Sequence, residues 1–218
     1  LGRRQRQMCI RDRGTVGSRV SFPRPMPGRA TDKHIYFPGA PVPALVAPNT
    51  YNRPHTITAE VSVPDGGAEG VIYAIGSNAG GYSLFVKDGK LNFVYNYEGH
   101  KRYRIVSDAD LPSGDLTIQY GFEVTGDPDF ENGSGAPGTG ILAVNGKKIG
   151  SVDMDKTTPY IFCIEGVSVG YDYGDAVDHK NYRGSFHFTG TVKKVTYDVS
   201  GEAIHDAKAI ARRLLGRQ

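Results

Sequence analysis

"YSLFVKDGKLNFVYNY", residues 82–97, consists of two alternating runs joined by Asp88-Gly89. A two-residue Asp-Gly loop places both residues at positive φ, which Asp tolerates and Gly adopts freely, and the resulting type I′ turn has the twist of two antiparallel strands. Residues 82–87 and 90–97 therefore read as a β-hairpin. The signal recurs at Asn145-Gly146 in "GILAVNGKKIGSVDM". Upstream, Ile57, Ala59, Val61 and Val63 share one face of a strand while Thr56, Thr58, Glu60 and Ser62 share the other, the period of a half-buried strand. With "GVIYAIG", "KRYRIVS", "DLTIQYGFEV", "GVSVGYDYG" and "FTGTVKKVTYDV" the total reaches roughly nine or ten short strands, a number and spacing that predict two packed antiparallel sheets. The fold class is all-β, an antiparallel two-sheet sandwich over residues 55–200.

The flanks read differently. Residues 14–54 are proline-rich and form an extended lead-in, and "TGDPDFENGSGAPGTG" reads as a long surface loop. After Ser200, a plausible N-cap, Ile204, Ala207, Ala211 and Leu214 recur at three and four residues, which predicts a C-terminal helix over 201–218.

Composition narrows the function classes. The 218 residues suit one core, and 29 glycines, 13 prolines and no tryptophan suit short strands and turns. No apolar run reaches the length of a membrane span, so no membrane partner is expected. The net charge of +3 is local, because residues 1–13 hold five Arg and one Asp and the remainder is close to neutral; nucleic acid is not an expected partner. Cys9 lies among arginines, where a thiolate would be favoured, and Cys163 lies in the apolar run "YIFCIEGVSV", where a buried free thiol is expected.

Candidate chemistry is sparse. Asp172, Asp175, Asp178 and His179 fall in one loop, and Asp127, Asp129 and Glu131 in another; oxygen-rich loops can hold calcium, but the second departs from the EF-hand pattern at Asn132 and Gly138. Both read as solvated acidic turns, with no metal site assigned. Glu60 and Glu123 are isolated, as is the "DMD" of residues 153–155, so no carboxylate pair suits a glycosidase. The histidines are scattered, and no G-x-S-x-G elbow is present. One stretch stands out. In "NYEGHKRYR", residues 96–104, Tyr97, His100, Lys101, Tyr103 and Arg104 combine aromatic faces with cationic donors around a turn, a mixture that suits a sugar, a sulfate ester or a protein surface.

Residues 36–108, with "NRPHTITAEV", "GGAEGVIYA" and "GGYSLFVKDGKLNFVYN" as the most specific parts, followed by "VNGKKIG" and "FTGTVKKVTYDVS", resemble the region after the catalytic domain of large bacterial arylsulfatases. The resemblance implies a concanavalin A-like jelly roll and a catalytic sulfatase domain in cis as partner, with a sulfated ester or glycan nearby. It implies that the parent enzyme uses formylglycine and a divalent metal, with calcium foremost. No active site is implied for this chain. The formylglycine pattern C/S-x-P-x-R is only approached: "CIRDR" has Arg11 in place of proline, and "SFPRP" places Arg24 one position early. "MCIRDR" also resembles the translation of a common sequencing adapter, which implies that residues 1–13 are not native and that the gene has lost its front portion. The expectation is a non-catalytic C-terminal sandwich domain of an arylsulfatase-like bacterial hydrolase, known from environmental DNA and without a cofactor of its own. The alternative is a free-standing lectin-like carbohydrate-binding module, and a third reading is a sandwich enzyme.

Overall fold

The Asp88-Gly89 loop takes the shape its residues require, with φ of 51° and 73°, and joins β4 (Gly80–Lys87) to β5 (Lys90–Tyr97). The structure, a computed structural model, describes residues 32–160 and 165–207. Asn145 and Gly146 turn in the same way, at φ of 50° and 77°, between β8 (Gly138–Val144) and β9 (Lys147–Met154). The other strands are β1 (Lys33–Tyr36), β2 (His55–Val63), β3 (Gly70–Ser77), β6 (Lys101–Asp110), β7 (Gly114–Val124), β10 (Val167–Val169) and β11 (Thr191–Asp198).

They form two antiparallel sheets. One has the order β1-β11-β2-β7-β8-β9, and the other has the order β10-β3-β4-β5-β6. The architecture is an all-β, jelly-roll-like sandwich. The first strand was not anticipated: β1 lies in the expected lead-in and pairs with β11 from Lys33 opposite Asp198 to Tyr36 opposite Val195. In the expected strand "GVSVGYDYG" only Val167–Val169 pairs.

Between the sheets lie the inward residues of β2, Ile57, Ala59, Val61 and Val63, against Ile72, Leu84, Leu91 and Phe93. Phe93 of β5 stacks on Tyr120 of β7, with ring centroids 3.7 Å apart and planes at 15°, so the two sheets meet ring on ring. Tyr73, Tyr82, Tyr120 and Tyr197 are among the largest side chains wholly removed from solvent. Aromatic rings give this interior its volume in the absence of tryptophan.

Strands β3 and β4 are buried almost along their whole length, because both faces of the second sheet are covered. On its outer face Val71, Ala74, Phe85 and Val94 pack against Ala176, Val177, Tyr182 and Phe186. Residues 170–188 therefore lie across this face. The acidic turn expected to be solvated is only half so: Asp175 and His179 are exposed and paired with each other, whereas Asp172 is 1% exposed and Asp178 is 0% exposed. The other acidic loop is a surface loop in which Asp129 caps a short 3-10 turn at Phe130–Asn132.

The expected C-terminal helix does not begin at residue 201, since residues 201–206 are irregular. There the Arg53 guanidinium donates to the Gly201 carbonyl oxygen and the Ile204 N–H donates to the Asn52 carbonyl oxygen, so these backbone groups are used by the loop before β2. Residues 208–218 lie outside the described residues, as do Cys9, Cys163 and residues 1–13. Among the described residues no helix is long and apolar enough to cross a membrane.

Candidate functional site

The β5–β6 hairpin closes through Glu98 and Gly99, at φ of 48° and 73°. The buried Asn96 side chain holds this turn: its oxygen accepts from the Gly99 N–H, and its amide donates to the carbonyl oxygens of Ser77, Asn78 and Val177. The turn is thus tied both to the β3–β4 connection and to the covering segment 170–188.

The five candidate residues do not share one surface. Tyr97 and Lys101 are register partners at the hairpin end, and alternation puts them with Tyr103 on the inward side of the sheet. Tyr97 is partly buried against the core, and His100 is exposed in the turn. Arg104 projects to the opposite face, where its Nη2 lies 2.8 Å from Asp178 Oδ1. It holds down the segment over the second sheet rather than facing the hairpin tip. Arg102, which sequence reading passed over, sits beside it, with Nη2 donating to Asn78 Oδ1 at 2.6 Å.

Lys101 and Tyr103 do converge, on a residue that sequence reading set aside as isolated. The Lys101 ammonium donates to Asp155 Oδ1 at 2.5 Å and stands 4.7 Å from the centroid of the Tyr103 ring. The Tyr103 hydroxyl donates to the same oxygen at 2.5 Å and accepts from the Lys156 N–H at 3.2 Å. These two donors, Lys101 first, hold the Asp155 carboxyl down at about 2. Lys101 and Asp155 remain open to water, with side chains 52% and 61% exposed. Fifty-four residues separate them, and only the sandwich brings them together.

The interior opens slightly at Tyr95, whose ring centroid lies 6.3 Å from that of Tyr103. A narrow pocket there is lined by aromatic rings and hydroxyls, including Tyr82, Tyr95, Tyr120, Phe122, Thr157 and Thr158. Its space of about 10 Å³ is the room of one water molecule. The Tyr95 hydroxyl accepts from the Thr158 N–H at 2.8 Å, which fixes the segment running on from Asp155. His55 also lines the pocket. Burial lowers its pKa to about 4, so the ring is neutral near pH 7. Among the described residues no group of His, Cys, Asp and Glu has the geometry to hold a metal ion.

No family model matches this chain, and no curated protein matches it. Several solved structures are similar. The carbohydrate-binding module CBM40 of a Ruminococcus gnavus sialidase, bound to α2,3-sialyllactose, is 16% identical over 74% of this chain and 83% of its own, with a TM-score of 0.47. Domains LG4-5 of the mouse laminin α1 chain are 15% identical over 82% of this chain and 44% of theirs, with a TM-score of 0.48. A pentraxin from Limulus polyphemus is 13% identical over 74% of each chain, with a TM-score of 0.39. Similarity this low assigns no ligand to this chain. The expected labels of arylsulfatase, sulfatase C-terminal domain and hydrolase fragment are corrected by the same comparisons: no family model and no curated protein supports them, and none of the similar structures named is a sulfatase domain.

Proposed function

We propose that this chain is a non-catalytic carbohydrate-binding module that takes a hydroxyl-rich glycan at the lip formed by Tyr97, His100, Lys101, Tyr103 and Asp155. The observation that carries this reading is the exposed Lys101–Asp155 pair seated on Tyr103. It sets a cationic donor and an anionic acceptor side by side in fixed positions, which is what neighbouring sugar hydroxyls, each both donor and acceptor, can use at once. The half-buried Tyr97 ring offers an apolar surface alongside. The pocket behind holds no more than a water, so a sugar would lie across the lip instead of entering between the sheets.

The same pair favours uncharged sugars over sulfated ones. Asp155 already neutralises Lys101, and its carboxylate would repel a sulfate placed on the ammonium. A glycan array that includes matched sulfated and unsulfated oligosaccharides tests this. Binding of unsulfated members, weakened at least about tenfold in Lys101→Ala and in Asp155→Ala, is the expected result. Both side chains are largely exposed, so the unfolding midpoint should stay nearly constant. Absence of any bound glycan, or binding untouched in both variants, would defeat the proposal.

A further inference from the structure

Residues 170–188 cover the outer face of the second sheet and bury two carboxylates in opposite surroundings. Asp178 is matched in charge. Its Oδ1 lies 2.8 Å from Arg104 Nη2 and 3.5 Å from Arg102 Nε, and its Oδ2 accepts from Asn181 Nδ2 at 2.5 Å. Asp172 has no ion pair among the described residues. One oxygen, Oδ2, accepts from the Tyr182 hydroxyl at 2.6 Å and from the Val177 N–H at 2.9 Å. The charged groups that act on it are Glu165, ahead of β10, and Asp175 of the same segment, both acidic. The strands beneath offer it no cation: β4 supplies Ser83, whose Oγ is 3.0 Å from the Tyr182 hydroxyl, and Lys87, whose ammonium donates to the Asn181 carbonyl oxygen at 2.6 Å. From β6, Arg102 and Arg104 are engaged by Asp178.

We propose that residues 170–188 form a proton-controlled flap, seated when Asp172 carries a proton and loosened when it loses it, so that Val71, Ala74, Phe85 and Val94 become accessible. An unpaired carboxylate under a loop is a poor place for charge. Desolvation first, with Glu165 and Asp175 adding to it, raises the Asp172 pKa to about 6. A carboxyl on a released flap titrates near the ordinary 3.8. Between these values the seated flap binds a proton that the released one gives up. Seating is therefore fully favoured at low pH and is lost as the pH rises through about 6.

Several backbone positions of the segment take positive φ. Gly170 and Gly184 have φ of 84° and 62° near the two ends of the segment, and Phe186 is held at φ of 37°. This region is strained for a bulky residue. Its carbonyl oxygen accepts from the Val71 N–H at 2.7 Å, which fastens this end of the segment to β3.

Hydrogen exchange of the full chain tests the flap. The direct reporter is the amide of Val71, whose bond to Phe186 crosses from the sheet to the segment; the amides of Asp172 and Val177, bonded within the segment to Ser185 and to Asp172, are reporters of its internal order. After correction for intrinsic exchange, their protection should fall about tenfold between about pH 5 and about pH 8, while amides of β2 and β7 hold theirs. Asp172→Asn should keep the reporters protected at both values. Protection equal at the two pH values, or a pH dependence that survives Asp172→Asn, would overturn the proposal. If that variant does not fold, Glu165→Gln combined with Asp175→Asn replaces it. Removing both acidic neighbours should move the transition to lower pH, and an unmoved transition would be decisive against the flap.

Discussion

His55 stands at the start of β2 with its ring stacked on Phe122 at 5.4 Å and its Nδ1 3.0 Å from the Arg53 carbonyl oxygen. Its depressed pKa means that the unfolded chain takes up a proton near 6.5 that the folded chain refuses until about 4. Stability from this residue is present above the higher value and is lost as the pH falls. The residue as a whole is still partly exposed, which limits the effect to about 1–2 kcal/mol. Asp172 acts in the reverse sense over nearly the same range, from 3.8 to about 6. The two residues therefore oppose each other across that window. His55→Gln should tilt the urea midpoint so that acid favours the folded state, and Asp172→Asn should tilt it the other way. Backbone sterics give a second expectation at this scale. A Cβ on Gly70, at φ of 107°, would lie 2.1 Å from the His187 carbonyl oxygen. Gly70→Ala should cost at least about 3 kcal/mol in denaturant unfolding.

At the scale of elements, Asn96 joins three pieces of chain through four hydrogen bonds. Asn96→Ala should lower stability by about 2–4 kcal/mol, because several buried backbone groups lose their partner together; equilibrium urea unfolding measures it. Elements with local causes were legible in the sequence. Asp88-Gly89 and Asn145-Gly146 carry their own turn geometry, and the alternation from Ile57 to Val63 names its inward face without help from elsewhere. Strand β1 was not legible: its four residues sit among prolines, and among the described residues its pairing is to β11 at the far end of the chain. The covering segment was misread because "YDYGDAVDH" looks solvated until Arg104, 74 residues earlier, arrives to balance Asp178. The candidate lip was half legible. Tyr97, His100, Lys101 and Tyr103 adjoin one turn, whereas Asp155 reaches them only through sheet packing, and Arg104 faces the other side of its own strand.

For the whole molecule, the Phe93–Tyr120 stack ties the two sheets at their centre. Tyr120→Ala should remove about 3–5 kcal/mol, and far-ultraviolet circular dichroism and aromatic signals should still lose structure at one shared midpoint, since both sheets contribute to the core between them. The interior phenols have an optical consequence. Burial raises the ionisation of Tyr73, Tyr82, Tyr95, Tyr120 and Tyr197 well beyond that of a free phenol, and with 13 tyrosines and no tryptophan nothing overlaps their absorbance. Unfolded tyrosines ionise near 10, so alkali favours the opened chain, and these five rings should become phenolate together as the sheets separate. An alkaline spectrophotometric titration would then show surface rings changing gradually, followed by one abrupt step. The height of that step counts the rings released from the interior, so the protein carries its own label-free gauge of opening.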